Sequence, residues 1–150
     1  MQPKKNTVKI TYKGETRNLP KRYLSSLKGS DKEKQIKSIF EAKNRPKIDS
    51  VKSRKSSWTV KFDKIYGKEI EKIGGKKTLK NIAKVSKIPE KALREIYQKG
   101  AAAYFTGGSR PNQTKDSWAY ARVYSYILGG NTRKIDVEIT KKYKVKFIHH

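Results

Sequence analysis

The sequence predicts a mainly α-helical fold: a small helical domain with a short N-terminal strand or hairpin and an extended basic arm. Three observations carry that expectation. Apolar residues recur at helical spacing through most of the chain after residue 30. Strand-like alternation stands out near the two ends, around Val8, Ile10 and Tyr12 and, more weakly, over 143–148. Glycine and proline cut the periodic stretches into helix-length pieces. On this reading residues 1–57 form a basic arm with a hairpin and one helix, and residues 58–150 form a helical core domain.

The elements follow in order. Val8, Ile10 and Tyr12 alternate with polar residues, Lys13-Gly14-Glu15 makes a turn, and Pro20 ends the strand region. Ser30 with Glu33 reads as a capping box for a helix over 31–43, with Ile36, Ile39 and Phe40 on one face and Asn44-Arg45-Pro46 as its stop. Residues 44–57 read as a basic linker. Trp58, Phe62, Ile65 and Tyr66 have helical spacing, with Ser57 as cap and Gly67 as end, although Trp58, Val60 and Phe62 also alternate as a strand would. After Gly74-Gly75, Thr78 caps a helix carrying Leu79, Ile82, Ala83 and Val85. Pro89 opens another with Ala92, Leu93, Ile96 and Tyr97, running to Gly100 or through Tyr104. Residues 106–113 form a loop, and Thr114 with Asp116 starts a helix through Leu128 that is apolar or aromatic on most sides, the pattern of a central buried helix. Ile135 and Ile139 continue at helical spacing, with Val137 leaving a strand open.

Charge bounds the function. Lys+Arg total 38 against 13 Asp+Glu in 150 residues, a formal net charge of +25. A surplus of that size repels itself and calls for a fixed counter-charge: nucleic acid, an acidic protein surface or anionic headgroups. Lysine, a flexible point charge, outnumbers arginine 30 to 8, which suits non-specific attraction. With no cysteine there is no disulfide, thiolate metal site or thiol nucleophile. No apolar run reaches the length of about 20 residues that a membrane span needs, and the opening residues lack the apolar stretch of a secretory signal.

Candidate chemistry is sparse. Gly75-Lys76-Lys77-Thr78 fails as a phosphate loop, since Ile70 and Lys77 stand where a glycine and a Ser/Thr are required. The only histidines are His149 and His150, and no carboxylate cluster is apparent, so the chain reads as non-enzymatic and without a cofactor or metal. Two candidate sites remain. The loop Gly107–Thr114 offers free backbone amides and the planar fork of Arg110, so Ser109, Arg110 and Asn112, with Arg122 nearby in sequence, form an anion-binding candidate. Arg122 lies in an apolar helix and needs a partner, either a carboxylate such as Asp116 or a ligand phosphate. Residues 78–96 are similar to a helix-turn-helix of the lac-repressor type. Ala83 allows close helix approach, Ile82, Ile88, Leu93 and Ile96 are buried, and Lys84, Lys91, Arg94 and Gln98 face nucleic acid. Lys87 stands in place of the turn glycine, and Glu90 and Glu95 oppose phosphate. Trp58, Tyr104, Trp118, Tyr120, Tyr124 and Tyr126 could stack on bases but fit a core equally by spacing.

Leu19-Pro20, Asp31 to Gln35, Arg45-Pro46-Lys47, Ser56-Ser57-Trp58 with Phe62 and Tyr66-Gly67, and Tyr104 through Gly130 together resemble a family of uncharacterised small basic proteins. That family belongs to chlorella-virus-like and other giant DNA viruses and to tailed phages. Its most specific stretch is Gly108–Thr114 followed by Ser117-Trp118-Ala119 and Arg122. The resemblance implies a viral origin and, by analogy, a structural protein of the virus particle, of minor capsid or cement type. Its implied partners are major and minor capsid proteins, packaged double-stranded DNA or an inner viral membrane surface that it does not span. Its implied location is the virion, and before assembly the host cytoplasm or nucleus. No catalytic residue carries over. The alternative is a free DNA-binding protein using the 78–98 helix pair.

Overall fold

The computed structural model describes residues 6–25, 27–48, 55–107 and 111–149. It is mainly helical, with an antiparallel N-terminal hairpin, β1 (Thr7–Tyr12) and β2 (Glu15–Pro20), followed by α1 (Gly29–Phe40), α2 (Ser57–Lys72), α3 (Leu79–Ser86), α4 (Glu90–Gly107), α5 (Lys115–Leu128), α6 (Thr132–Ile135) and α7 (Val137–Tyr143). The chain divides into two compact units: residues 1–53 with 102–115, and residues 54–101 with 116–150. The stretch 102–115, assigned from the sequence to the core domain, therefore groups with the N-terminal segment. α4 contributes residues to both units.

In the first unit, β1 pairs with β2 from Thr7↔Pro20 to Tyr12↔Glu15. Lys13 and Gly14 both take positive φ at the two-residue turn, the conformation that matches strand twist in a tight hairpin. Leu19, Tyr23, Leu24 and Ile39 form the core, with Val8, Ile10, Ile36 and Phe40 packed against it. α1 begins at Gly29, so Ser30 lies inside the helix and no side chain caps it; the capping box is not built. The helix ends at Phe40 rather than 43. Ala42 takes φ 53, and the Lys43 N–H closes on the Ser38 carbonyl at 2.9 Å, a termination glycine usually makes.

The expected linker is partly buried over 44–48: Arg45 and Ile48 are covered while Asn44 and Lys47 stay exposed. Tyr104 and Asn112 hold this segment. The Tyr104 hydroxyl accepts the Arg45 backbone N–H at 2.8 Å and donates to the Gln113 carbonyl at 2.7 Å. The Arg45 guanidinium lies 4.7 Å over the Tyr104 ring and donates to the carbonyls of Tyr104 and Lys43, each at 2.6 Å. Asn112 acts as a strand partner would. Its Oδ1 accepts from the Ile48 N–H at 2.6 Å, its Nδ2 donates to the Ile48 carbonyl at 3.1 Å, and its own N–H donates to the Pro46 carbonyl at 3.1 Å.

In the second unit, Phe62, Tyr66 and Ile70 of α2 join Ile82, Ile88, Ala92, Leu93 and Ile96 from the α3–α4 pair and Val123 to Leu128 of α5 in one core. α2 is a helix, not a strand. Ser56, rather than Ser57, caps it by accepting from the Trp58 N–H at 3.1 Å. Gly67 does not end it. The buried stripe continues from Tyr66 to Ile70, which outweighs the roughly 1 kcal/mol that a mid-helix glycine costs, and the helix runs to Lys72, just before Gly74-Gly75. Thr78 caps α3 as expected, its Oγ1 accepting from the Asn81 N–H at 3.2 Å. α4 runs on through Tyr104 to Gly107. At Gly100 a Cβ would lie 3.0 Å from Ala119 Cα and 3.3 Å from Arg122 Cδ, so glycine there permits close approach of α4 and α5. Residues 132–143 are helical, settling the Val137 alternative.

Two outcomes follow. Tyr104→Phe removes a hydroxyl that serves two buried backbone groups, and urea denaturation should show a loss of about 1–3 kcal/mol; an unchanged stability would mean these bonds contribute nothing net. The Glu41 carboxyl accepts from the Tyr12 hydroxyl and from Lys43, which hold its pKa down to about 2. Its folded value lies below its unfolded one. The stabilisation is therefore complete above the ordinary carboxylate range and is lost as pH falls through about 2. Carbon-detected NMR should report a midpoint near that value, and Tyr12→Phe should raise it.

Candidate functional site

Cations are sorted by type across the fold. Every lysine among the described residues is exposed. Of the six described arginines Arg22 and Arg94 are exposed as well, but the other four are not. Arg45 is buried, and Arg17, Arg122 and Arg133 are partly withdrawn. Each has internal partners. Arg17 pairs with Glu15 at 2.7 Å and lies 4.7 Å over the Phe40 ring. Arg133 donates to the carbonyls of Tyr126 and Ile127 at 2.8 and 2.7 Å, covering the open carbonyl end of α5, while its guanidinium sits 3.7 Å over Phe147.

Arg122 makes the strongest joint. Its Nε and Nη2 donate to the two carboxylate oxygens of Asp136 at 3.0 and 2.7 Å. Asp136 is 1% exposed and has Lys99 at 4.0 Å as a second cation. The partner that Arg122 needs is thus a carboxylate 14 residues further on, not Asp116. Asp116 accepts instead from the Tyr97 hydroxyl, and burial together with that bond pushes the Tyr97 pKa up to about 12.

The sequence-predicted anion site is therefore only partly describable. Ser109 and Arg110 lie outside the described residues. Asn112 is engaged with Ile48 in the first unit, and Arg122 faces Asp136 in the second. Tyr104, Tyr124 and Tyr126 are core residues at 0%, 2% and 0% exposure, while Trp58, Trp118 and Tyr120 are partly covered.

The residues predicted to face nucleic acid do reach the surface. Lys84, Lys91, Arg94 and Gln98 are all exposed. Lys87 takes φ 62 and ψ 26 at the end of α3, so the left-handed turn that a glycine would make is built with a lysine. Ile82, Ile88, Leu93 and Ile96 are fully or nearly fully buried beneath it. Along the surface, Lys80 and Lys84 lie one turn apart on α3, and Lys91, Arg94 and Gln98 follow at helical spacing on α4. Arg94 is bridged by Glu90 one turn earlier. A second stripe, unnoticed in the sequence, occupies α2: Lys61, Lys64, Lys68 and Lys72 are exposed at intervals of three and four residues, opposite buried Phe62, Tyr66 and Ile70. At about 1.5 Å per residue this stripe is roughly 16 Å long. The signal was present in the lysine spacing but was obscured by the choice between helix and strand.

Among the described residues, no helix is long and apolar enough to cross a membrane, and no three His, Cys, Asp or Glu side chains gather where they could hold a metal ion. A model of DUF5824, a family of unknown function, matches residues 20–144. No curated protein and no solved structure matches the chain.

The buried pair sets a clear expectation. Asp136→Ala leaves the Arg122 cation without its counter-charge and should cost about 3 kcal/mol or more in urea denaturation. Glu90→Ala, which removes the exposed bridge to Arg94, should cost less than about 1 kcal/mol. Equal losses would contradict the assignment of Arg122–Asp136 as the internal joint.

Proposed function

The chain belongs to this family of unknown function, and we propose that it is a non-enzymatic, polyanion-binding structural protein of a large double-stranded DNA virus particle. It acts there as a minor capsid or cement component. The observation that carries the reading is the placement of cations: every described lysine faces outward, whereas four of the six described arginines are wholly or partly covered and Arg122 is paired with the buried carboxylate of Asp136. A surface of flexible ammonium groups attracts any dense array of anions and distinguishes little between them. That suits a protein seated between acidic capsid surfaces, anionic lipid and packaged DNA. The placement in a virus particle rests on the sequence resemblance described above.

A second reading, a helix-turn-helix-like DNA-binding protein, is favoured by one specific observation. The α3–α4 turn adopts the left-handed geometry at Lys87, and Lys91, Arg94 and Gln98 share an exposed run on α4.

One titration separates them. Double-stranded DNA should bind with log K falling against log salt at a slope of about −4 or steeper. Replacing Lys61, Lys64, Lys68 and Lys72 with Gln, or Lys80, Lys84, Lys87 and Lys91 with Gln, should each lower the slope by up to about one per lysine that meets a phosphate. If only the second set matters and Arg94→Ala relaxes base preference, the helix-turn-helix reading replaces the first. Absence of binding to DNA, anionic vesicles and acidic capsid protein alike would end both. Recovery of the chain from purified particles at fixed copy number, cross-linked to capsid proteins, tests the virion assignment directly.

A further inference from the structure

A groove in the second unit combines features that a general polyanion surface does not need. It runs between α2, the end of α3 and the C-terminal segment, with a volume of about 650 Å³. Six large apolar side chains are exposed among the described residues, and three of them line this one groove: Ile65 at 41%, Ile73 at 39% and Ile148 at 53%. Val85 adds to the apolar lining. Lys72, Lys84 and Lys87, all exposed, supply three ammonium groups to the same walls, against the single carboxylate of Glu69. The C-terminal wall is fastened to α2. The Tyr66 hydroxyl and His149 Nε2 are 2.6 Å apart, and their rings meet edge to face at 5.6 Å.

We propose that this groove docks an acidic amphipathic segment of a partner protein, its apolar side chains on the isoleucines and its carboxylates on Lys72, Lys84 and Lys87. Charge and shape select that occupant. A second copy of a chain carrying +25 would bring like charge to a basic rim. Nucleic acid needs the ammonium groups but has no use for three isoleucines. An anionic bilayer is the competing occupant, and the vesicle arm of the test distinguishes it. An acidic helix or extended peptide with an apolar face satisfies both halves of the site. The inference deepens the polyanion reading by naming an acidic protein as the partner at one place.

The test uses the full chain at physiological salt. The probe is a fluorescein-labelled 16-residue peptide with leucines at helical spacing and glutamates elsewhere, compared with oligoglutamate of equal charge, a DNA duplex, and vesicles of phosphatidylserine and phosphatidylcholine. The amphipathic peptide should bind at least tenfold tighter than oligoglutamate. The double substitution Ile73→Gln with Ile148→Gln, at two exposed positions and without change of charge, should abolish that advantage while leaving DNA affinity within twofold. Equal affinity for the two peptides, or a peptide advantage unaffected by the double substitution, would overturn the proposal, as would loss of vesicle binding in the variant without loss of peptide binding. DNA binding that persists in those cases leaves the wider polyanion reading standing. Should the double variant unfold by circular dichroism, the single substitution Ile148→Gln replaces it: the peptide advantage must fall, and its persistence counts against the proposal.

Discussion

The bidentate pair between Arg122 and Asp136 joins α5 to the junction of α6 and α7 in the second unit. Asp136 is almost wholly buried and lies at the junction of α6 and α7, where its N–H closes on Thr132 at 2.8 Å and its carbonyl accepts from Ile139 at 3.0 Å. Arg122 lies on α5, and its stem is crowded by α4 at Gly100. One ion pair therefore fixes four helices. Burying two charges is costly, and a pair is retained only where geometry satisfies both partners. Here both carboxylate oxygens are matched by a planar fork, a geometry that a lysine could not supply. The Tyr126 hydroxyl and Thr140 Oγ1, 2.6 Å apart, repeat the connection between α5 and α7.

Much of this was legible in the sequence, and what was not has a common cause. The helices, the hairpin and the identity of α5 as the buried centre follow from periodicity and caps, which are local. Gly67 misled because a propensity argument was applied where the burial of Ile70 decides. The Ser30 capping box misled because a hydroxyl at the right spacing does not fix which residue is the cap. The missing links are all long-range. Nothing near Arg45 indicates that a tyrosine 59 residues later will accept its N–H and stack on its guanidinium. Nothing near Ile148 indicates that it will line a groove with Ile65. Of the candidate residues, Lys84, Lys91, Arg94 and Gln98 were placed correctly at the surface because helical spacing alone determines exposure. The roles of Asn112 and Arg122 depended on partners that spacing does not reveal.

The division of labour between the two cations then has a physical basis. An arginine has several donors in a plane, keeps its charge when desolvated and stacks on rings, so it serves where a cation must be withdrawn from water. Burial lowers the pKa of Arg45 and of Arg133, yet both start so far above neutrality that they stay charged. Lysine is more strongly hydrated and is left outside, where it loses little conformational freedom until a partner arrives.

On the proposed reading that arrangement creates a problem of selectivity, since a coat of ammonium groups attracts every polyanion with similar strength and releases each as salt rises. Discrimination must come from a feature that salt does not screen. Burial of apolar surface is such a feature, and three of the exposed large apolar side chains meet in one basic-rimmed groove. In that proposal the lysines accelerate encounter and hold the chain loosely at an acidic surface. A partner with an apolar face between its carboxylates gains a second, salt-resistant term that DNA and lipid headgroups do not share. Under the proposal, the same molecule is a general neutraliser over most of its described surface and a selective one at this groove.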